Sequence, residues 1–221
     1  MIGANDDPSP LKPQHPLIHE LQRRLPGVRL PSWPTVTEIL VPTVLEQVVV
    51  GKTARDAYRQ LVFRYGEPAP GPLKLWLPPT PKTFAALPYY AFHPVGVEKR
   101  RADIVRQACM VANRLESALT MKPEQARAHL TKVHGVGAWS AAEVARVAWG
   151  DADAVSVNDF HLPHTVTWAL AGEPRGNDER MLELLEPYAG QRARVVRLIE
   201  AAGIIAPRFG PRKRIRSIAN F

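Results

Sequence analysis

Proline is distributed unevenly along this chain, and its distribution limits where long regular elements can form. Of the 22 prolines, 16 lie in residues 1–94 and six in residues 95–221. Proline has no backbone N–H and disrupts both helix interiors and central strands. We therefore expect loops to interrupt the first part of the chain and regular elements to dominate the second.

The regular elements that the pattern indicates are helices. Ile104, Ala108, Val111, Leu115 and Ala118 recur at helical spacing. Apolar spacing, caps and glycine stops predict helices over about 36–50, 54–65, 81–87, 97–119, 123–132, 138–149, 178–185 and 195–202, with a loop over 67–79. We predict an all-α protein with a disordered tail over 1–16, a core over 17–206 and a basic C-terminal tail over 207–221.

Composition excludes several classes of protein. Cys109 is the only cysteine, so an internal disulfide and a four-cysteine iron–sulfur cluster are excluded, and its helical position suggests an inert core thiol. We expect no membrane span, because the chain lacks the ~20 consecutive apolar residues that one needs. The N-terminus lacks a signal-peptide pattern, so a cytoplasmic protein is expected. The net charge of +8 favours a polyanionic partner.

One short glycine motif lies between two of the predicted helices. Val133-His134-Gly135-Val136-Gly137 allows a tight turn, and the next helix begins near Ala138. The N–H groups and dipole at such a helix start favour an anion, and phosphate suits a basic protein. An ordinary helix–helix turn explains the same five residues.

The wider window resembles the helix-hairpin-helix DNA glycosylases, and the 3-methyladenine DNA glycosylase II branch in particular. Residues 130–150 match the hairpin and following helix, with His134 in place of the usual proline, and Asp159 stands at the position of the family aspartate. Residues 25–30, 45–47 and 96–102 give supporting matches, so the resemblance covers about 20–203. The amino-terminal β-domain of longer family members has no match here, which fits either a short form or part of a longer protein.

The resemblance implies a two-lobed helical core with a cleft that holds Asp159 at its bottom and the hairpin at its rim. The resemblance implies that the hairpin binds a DNA phosphate through His134, Gly135, Val136 and Gly137. It also suggests a bound monovalent cation at the hairpin. Asp159 is expected to stabilise the positive charge that develops on the sugar during base removal. It could also be a helix cap, and the two roles are compatible.

Three residues are expected to line the base pocket. Trp139 stands where lyase members have their Schiff-base lysine, so it implies a monofunctional enzyme and could stack on a flipped cationic base. It could equally be a core residue. Glu143 could favour a cationic base or pair with Arg146, and Phe160 could form the pocket wall or belong to the core.

Two further residues are candidates for the side chain that fills the gap left by a flipped base, which the resemblance implies. Gln47 and Val48 lie where the family places this duplex wedge, although a buried helix end is an alternative. The expected function is hydrolytic release of alkylated purines from duplex DNA by a monomer without a cofactor. Two alternative functions remain open. One is a non-catalytic DNA-binding module, and the other, less favoured, is a metal-dependent hydrolase with ligands Asp159, His161 and His164.

Overall fold

A computed structural model of the chain describes residues 3–207 and shows an almost entirely helical protein. The helices are α1 (Pro16–Arg24), α2 (Thr37–Glu46), α3 (Gly51–Tyr65), α4 (Pro81–Ala86), α5 (Tyr89–Phe92), α6 (Lys99–Met110), α7 (Ala112–Glu116), α8 (Pro123–Leu130), α9 (Ala138–Ala148), α10 (Leu162–Ala171), α11 (Asp178–Leu185) and α12 (Arg192–Ala201). Strands β1 (Glu67–Pro68) and β2 (Trp76–Leu77) form a small antiparallel pair. The all-α prediction is confirmed.

The described chain forms two compact units. Unit 1 comprises residues 3–34 and 141–207, and unit 2 comprises residues 35–140. Helix α9 begins in unit 2 and ends in unit 1. No helix among the described residues has the length and apolar character needed to cross a membrane.

The start of the chain belongs to unit 1, which corrects the expectation of a disordered tail over 1–16 for the residues described. Leu11 is buried in the same apolar cluster as Ile18 of α1 and Val195 of α12. The carboxylate of Asp6 forms a buried ion pair with Arg194, at 2.6 Å between Oδ1 and Nη2. Burial alone would raise the pKa of Asp6, but the hydrogen bond from Arg194 helps to hold it below its ordinary value. No local pattern in the sequence indicates this pairing across 188 residues.

In unit 2, helix α2 packs against α3 and α6 and is held at both ends by charged side chains. The carboxylate of Glu116 accepts the backbone N–H groups of Val36 and Thr37 at 2.7 and 2.9 Å, where a helix start favours negative charge. At the other end, the buried Arg101 donates to the carbonyl of Leu45 at 2.6 Å. Both ends of α2 are therefore anchored independently of its apolar packing.

The largest differences from the sequence-based expectations concern three regions. The helix expected over 97–119 is broken at Val111, whose φ of −106° and ψ of 21° are not helical. The helix expected over 36–50 ends at Glu46, and the loop expected over 67–79 contains β1 and β2. Cys109 is buried, and burial raises the pKa of its thiol to about 12, consistent with an inert thiol. Most of the basic tail predicted over 207–221 lies outside the described residues.

Candidate functional site

The glycine motif of unit 2 forms a tight turn between α8 and α9. The N–H of Val136 donates to the carbonyl of Val133 at 3.0 Å, and Gly135 has a φ of +82°. A positive φ at the third residue is typical of a type II turn, whose second position favours proline. His134 occupies that second position, so the turn forms here without proline's fixed φ.

The two glycines of the motif are explained by different features of the structure. A Cβ at Gly135 would lie 2.4 Å from Cδ1 of Ile104, so there is no room for a side chain. The positive φ of Gly135 is a second reason, because residues with a side chain rarely adopt it. A Cβ at Gly137 would meet nothing within 4 Å, and Gly137 is exposed. Gly135 is therefore needed for the turn itself, while Gly137 leaves open space above the backbone at the start of α9.

Gln47, one of the two wedge candidates, is bound to the hairpin. Its side-chain amide donates to the carbonyl of Gly135 at 3.0 Å and to the hydroxyl of Ser140 at 2.9 Å. Ser140 lies in the first turn of α9 and is buried. These bonds join the end of α2 to both sides of the hairpin, so Gln47 acts as a support for the hairpin rather than as a projecting side chain.

Val48, the other wedge candidate, projects fully. It is 98% exposed and has a φ of +59°. The N–H of Val49 approaches the carbonyl of Glu46 at 3.5 Å, so Val48 occupies the third position of a turn that normally contains glycine. A β-branched residue at positive φ is a true outlier and costs on the order of 1–3 kcal/mol. An exposed, strained valine stabilises nothing in the described fold, which favours a functional reason.

Asp159 lies in unit 1 just before the start of α10. Its Oδ1 accepts the backbone N–H groups of His161 and Leu162 at 2.7 and 2.8 Å. However, α10 begins at Leu162 and its N-cap is His161, so Asp159 holds the turn before the helix and is not the N-cap that the sequence offered as one of two roles. Because these bonds use one carboxylate oxygen, they fix the orientation of the carboxylate at the helix start.

The loop before Asp159 is also held in place. Asn158 has a φ of +63°, and its N–H donates to Oδ2 of Asp178 at 2.7 Å. Asp178 is the first residue of α11, so the two helices of unit 1 together fix the loop that carries Asp159. The sequence predicts a helix from Asp178 but contains no signal for a bond across 20 residues.

Glu143 is committed to a network within unit 1. One carboxylate oxygen accepts from Arg146 at 2.7 Å, and the other accepts from the hydroxyl of Ser156. Arg146 also pairs with Glu200 at 3.0 Å. The structure thus contains the pairing with Arg146 that the sequence offered as the alternative to a pocket role.

The two aromatic candidates differ in exposure. Trp139, in the first turn of α9, is partly buried. Phe160 is 71% exposed, so it is not a core residue, and its ring meets that of His161 edge-on with centroids 4.8 Å apart. A large exposed ring directly after Asp159 is available for contact with a ligand.

The metal-site alternative finds no support. Among residues 3–207, no group of three or more His, Cys, Asp or Glu side chains could hold a metal ion. Nδ1 of His164 instead accepts the N–H of Gly176 at 3.0 Å, which holds the loop between α10 and α11.

Sequence comparisons identify no relative: no protein-family model matches the chain, and no curated protein sequence does. Solved structures do match. A 3-methyladenine DNA glycosylase from Archaeoglobus fulgidus is 21% identical with a TM-score of 0.73, and the match covers 85% of this chain and 65% of that one. A Clostridium acetobutylicum 8-oxoguanine glycosylase/lyase bound to double-stranded DNA is 15% identical with a TM-score of 0.70, over 83% of this chain and 64% of that one.

A 3-methyladenine DNA glycosylase from Schizosaccharomyces pombe, in complex with abasic DNA, matches over 86% of this chain and 93% of that chain. Its identity is 17% and its TM-score is 0.68. Likeness at these identities concerns the fold, and all three structures share it. The matches show that this chain has the all-α fold of these DNA glycosylase structures.

Proposed function

We propose that this protein is a monofunctional DNA glycosylase that hydrolyses the N-glycosidic bond of alkylated purines, of the 3-methyladenine type, in duplex DNA. The observation that carries the proposal is Asp159, a carboxylate oriented by two backbone N–H groups in a chain with the glycosylase fold. Bond cleavage gives the sugar oxocarbenium character. In the proposed reaction, Asp159 stabilises that positive charge and orients the attacking water.

The hairpin supplies the DNA contact in this proposal. Gly137 directly precedes α9, and the dipole at a helix start favours an anion. The open space above Gly137 would let a backbone phosphate approach this helix start closely. The carbonyls of Val133 and Gly135 each accept one hydrogen bond and keep a second lone pair, so a monovalent cation at the hairpin stays a prediction.

Base recognition is assigned to Trp139 and Phe160. An alkylated purine that carries a positive charge is attracted to an electron-rich ring face, and it is also a good leaving group. Glu143 is left out of the base contacts, because Arg146 and Ser156 already bind both of its carboxylate oxygens.

Absence of lyase activity is part of the proposal and follows from Trp139. Lyase chemistry requires an amine that forms a Schiff base with the sugar. An indole cannot form an imine, so Trp139 favours the 3-methyladenine type of neighbour over the glycosylase/lyase type.

The direct test is base release from duplex DNA containing methylated purines or 8-oxoguanine, with and without borohydride. We expect release of methylated purines, intact strands with abasic sites, and no borohydride-trapped protein–DNA adduct. A trapped adduct would contradict the monofunctional assignment. DNA binding without release of any base would instead identify a non-catalytic binding module.

Val48 gives a prediction in which stability and activity change in opposite directions. The Val48→Gly variant should be more stable by roughly 1 kcal/mol, because relief of the left-handed strain (about 1–2 kcal/mol) exceeds the entropy that glycine adds to the unfolded chain (about 0.4–1 kcal/mol). Base release from duplex DNA should fall about tenfold if Val48 fills the gap behind a flipped base, since each ~1.4 kcal/mol changes a rate tenfold.

The matched control is Val50→Gly, the same change two residues away at a negative φ of −67°. It should lower stability and leave base release unchanged. The Val48→Gly deficit should also shrink when the damaged base is mispaired, because flipping then costs less. Equal activity of wild type and Val48→Gly on paired substrates would remove the wedge assignment.

A further inference from the structure

A basic groove lies beside the hairpin within unit 2. It encloses about 210 Å³, and its basic members are Arg114, His129, Lys132 and His134. Val111, which is exposed, contributes an apolar surface, and the buried Leu115 lies beneath the groove. No carboxylate is among its lining residues in the described chain. We call this feature the basic groove.

The two permanent charges of the basic groove are not neutralised by the protein. Arg114 and Lys132 are both exposed, and neither forms an ion pair with a carboxylate among residues 3–207. The acid nearest to Arg114 in sequence, Glu116, is committed to the start of α2. Uncompensated positive charge around a concave surface attracts an anion.

The rim of the basic groove is ordered by backbone hydrogen bonds. The N–H of Lys132 donates to the carbonyl of His129 at 3.2 Å, and the N–H of Val133 donates to that of Leu130 at 3.1 Å. These bonds continue directly into the turn at Val133 and Val136. The backbone that carries Lys132 is thus continuous with the hairpin and shares its fixed geometry.

The position of the basic groove next to the hairpin favours the DNA backbone over a small free anion as its ligand. His134 belongs to both the basic groove and the hairpin motif, so a strand with a phosphate at the hairpin would lie next to the groove. The exposed apolar side chain of Val111 suits the sugar between two phosphates. A small free anion would use the charges but not this apolar surface.

We propose that the basic groove binds a second stretch of the DNA backbone, a phosphate with its adjoining deoxyribose, next to the phosphate at the hairpin. Arg114 and Lys132 supply the charge for this contact. The inference rests on the proposed function for its choice of DNA as ligand, but it concerns affinity and register rather than bond cleavage. Phosphate contacts fix a protein's position on the duplex without reading its sequence.

The test is the salt dependence of binding to an undamaged duplex, measured by fluorescence anisotropy. Each neutralised phosphate contributes about 0.9 to the slope of log K against log salt concentration. The double variant Arg114→Gln/Lys132→Gln should therefore reduce the slope by about 2 and weaken binding at low salt by roughly tenfold. The charge-conserving variant Arg114→Lys/Lys132→Arg should keep the wild-type slope.

The matched control is Arg100→Gln/Lys82→Gln, which removes the same two charge types from exposed positions of unit 2 outside the groove. An unchanged slope for the groove variant, or an equal fall in the control, would overturn the inference. Failure of the proposed function is separate, because it appears as absent base release. If wild type releases no base but the slope falls only in the groove variant, the groove assignment stands and the glycosylase proposal fails.

Discussion

Replacing Asp159 by asparagine should lower the rate of base release from methylated duplex DNA by about 10²–10⁴-fold, the range expected for loss of one well-placed catalytic group. The variant separates charge from structure. Asparagine has the same shape as aspartate and keeps a side-chain oxygen, so it can still accept the N–H groups of His161 and Leu162. It carries no negative charge, however, and cannot stabilise a developing cation.

The comparison requires DNA binding and stability to be measured on the same samples. Asp159→Asn should unfold at the wild-type denaturant concentration and bind DNA at least as tightly, because it removes a negative charge. Glu179→Gln is the charge-matched control, since Glu179 is an exposed acid in the first turn of α11, and it should keep wild-type activity. If the wild type is active and Asp159→Asn releases base at the same rate, the carboxylate of Asp159 has only a structural role.

The second large effect is expected at the hairpin. Gly135→Ala should lower the free energy of unfolding by about 2–5 kcal/mol, the sum of the left-handed conformation (about 1–2 kcal/mol) and overpacking against Ile104 (about 1–3 kcal/mol). The clash is with a buried side chain, so the turn must shift to relieve it. Chemical denaturation followed by circular dichroism measures the loss.

Gly137→Ala is the comparison that separates folding from binding. Its Cβ would point into open space, and its φ is not in the left-handed region, so stability should change by less than about 1 kcal/mol. If a phosphate approaches the backbone there, the added methyl group should weaken DNA binding all the same. A variant with both stability and DNA affinity unchanged would exclude close approach at Gly137.

The helical class was predictable because it depends on local information. Apolar spacing in α3, α6 and α12 defines one buried face of each helix, and caps such as Thr80 and Asn177 mark the starts that the structure shows. Breaks were less predictable. The interruption at Val111 has neither proline nor glycine to mark it, so no residue type in the sequence indicates it.

The candidate site divides in the same way. The motif around Gly135 and the position of Asp159 were visible in the sequence, since a tight turn and the start of a helix each need particular residue types at short spacing. The two wedge candidates could not be told apart. Gln47 binds the carbonyl of Gly135, 88 residues away, while Val48 extends into solvent, and only the folded chain shows this.

By itself, the sequence determined that this chain is helical, that it has a glycine turn suited to an anion, and that an aspartate follows at a helix start. These properties arise within a few residues, where backbone sterics and hydrogen-bond geometry limit the alternatives. Tertiary structure alone decided that Glu143 is held by Ser156, that Asp178 fixes the loop before Asp159, and that Lys132 and Arg114 border one groove. Such contacts join distant residues, and no local spacing rule encodes which distant side chains packing brings together.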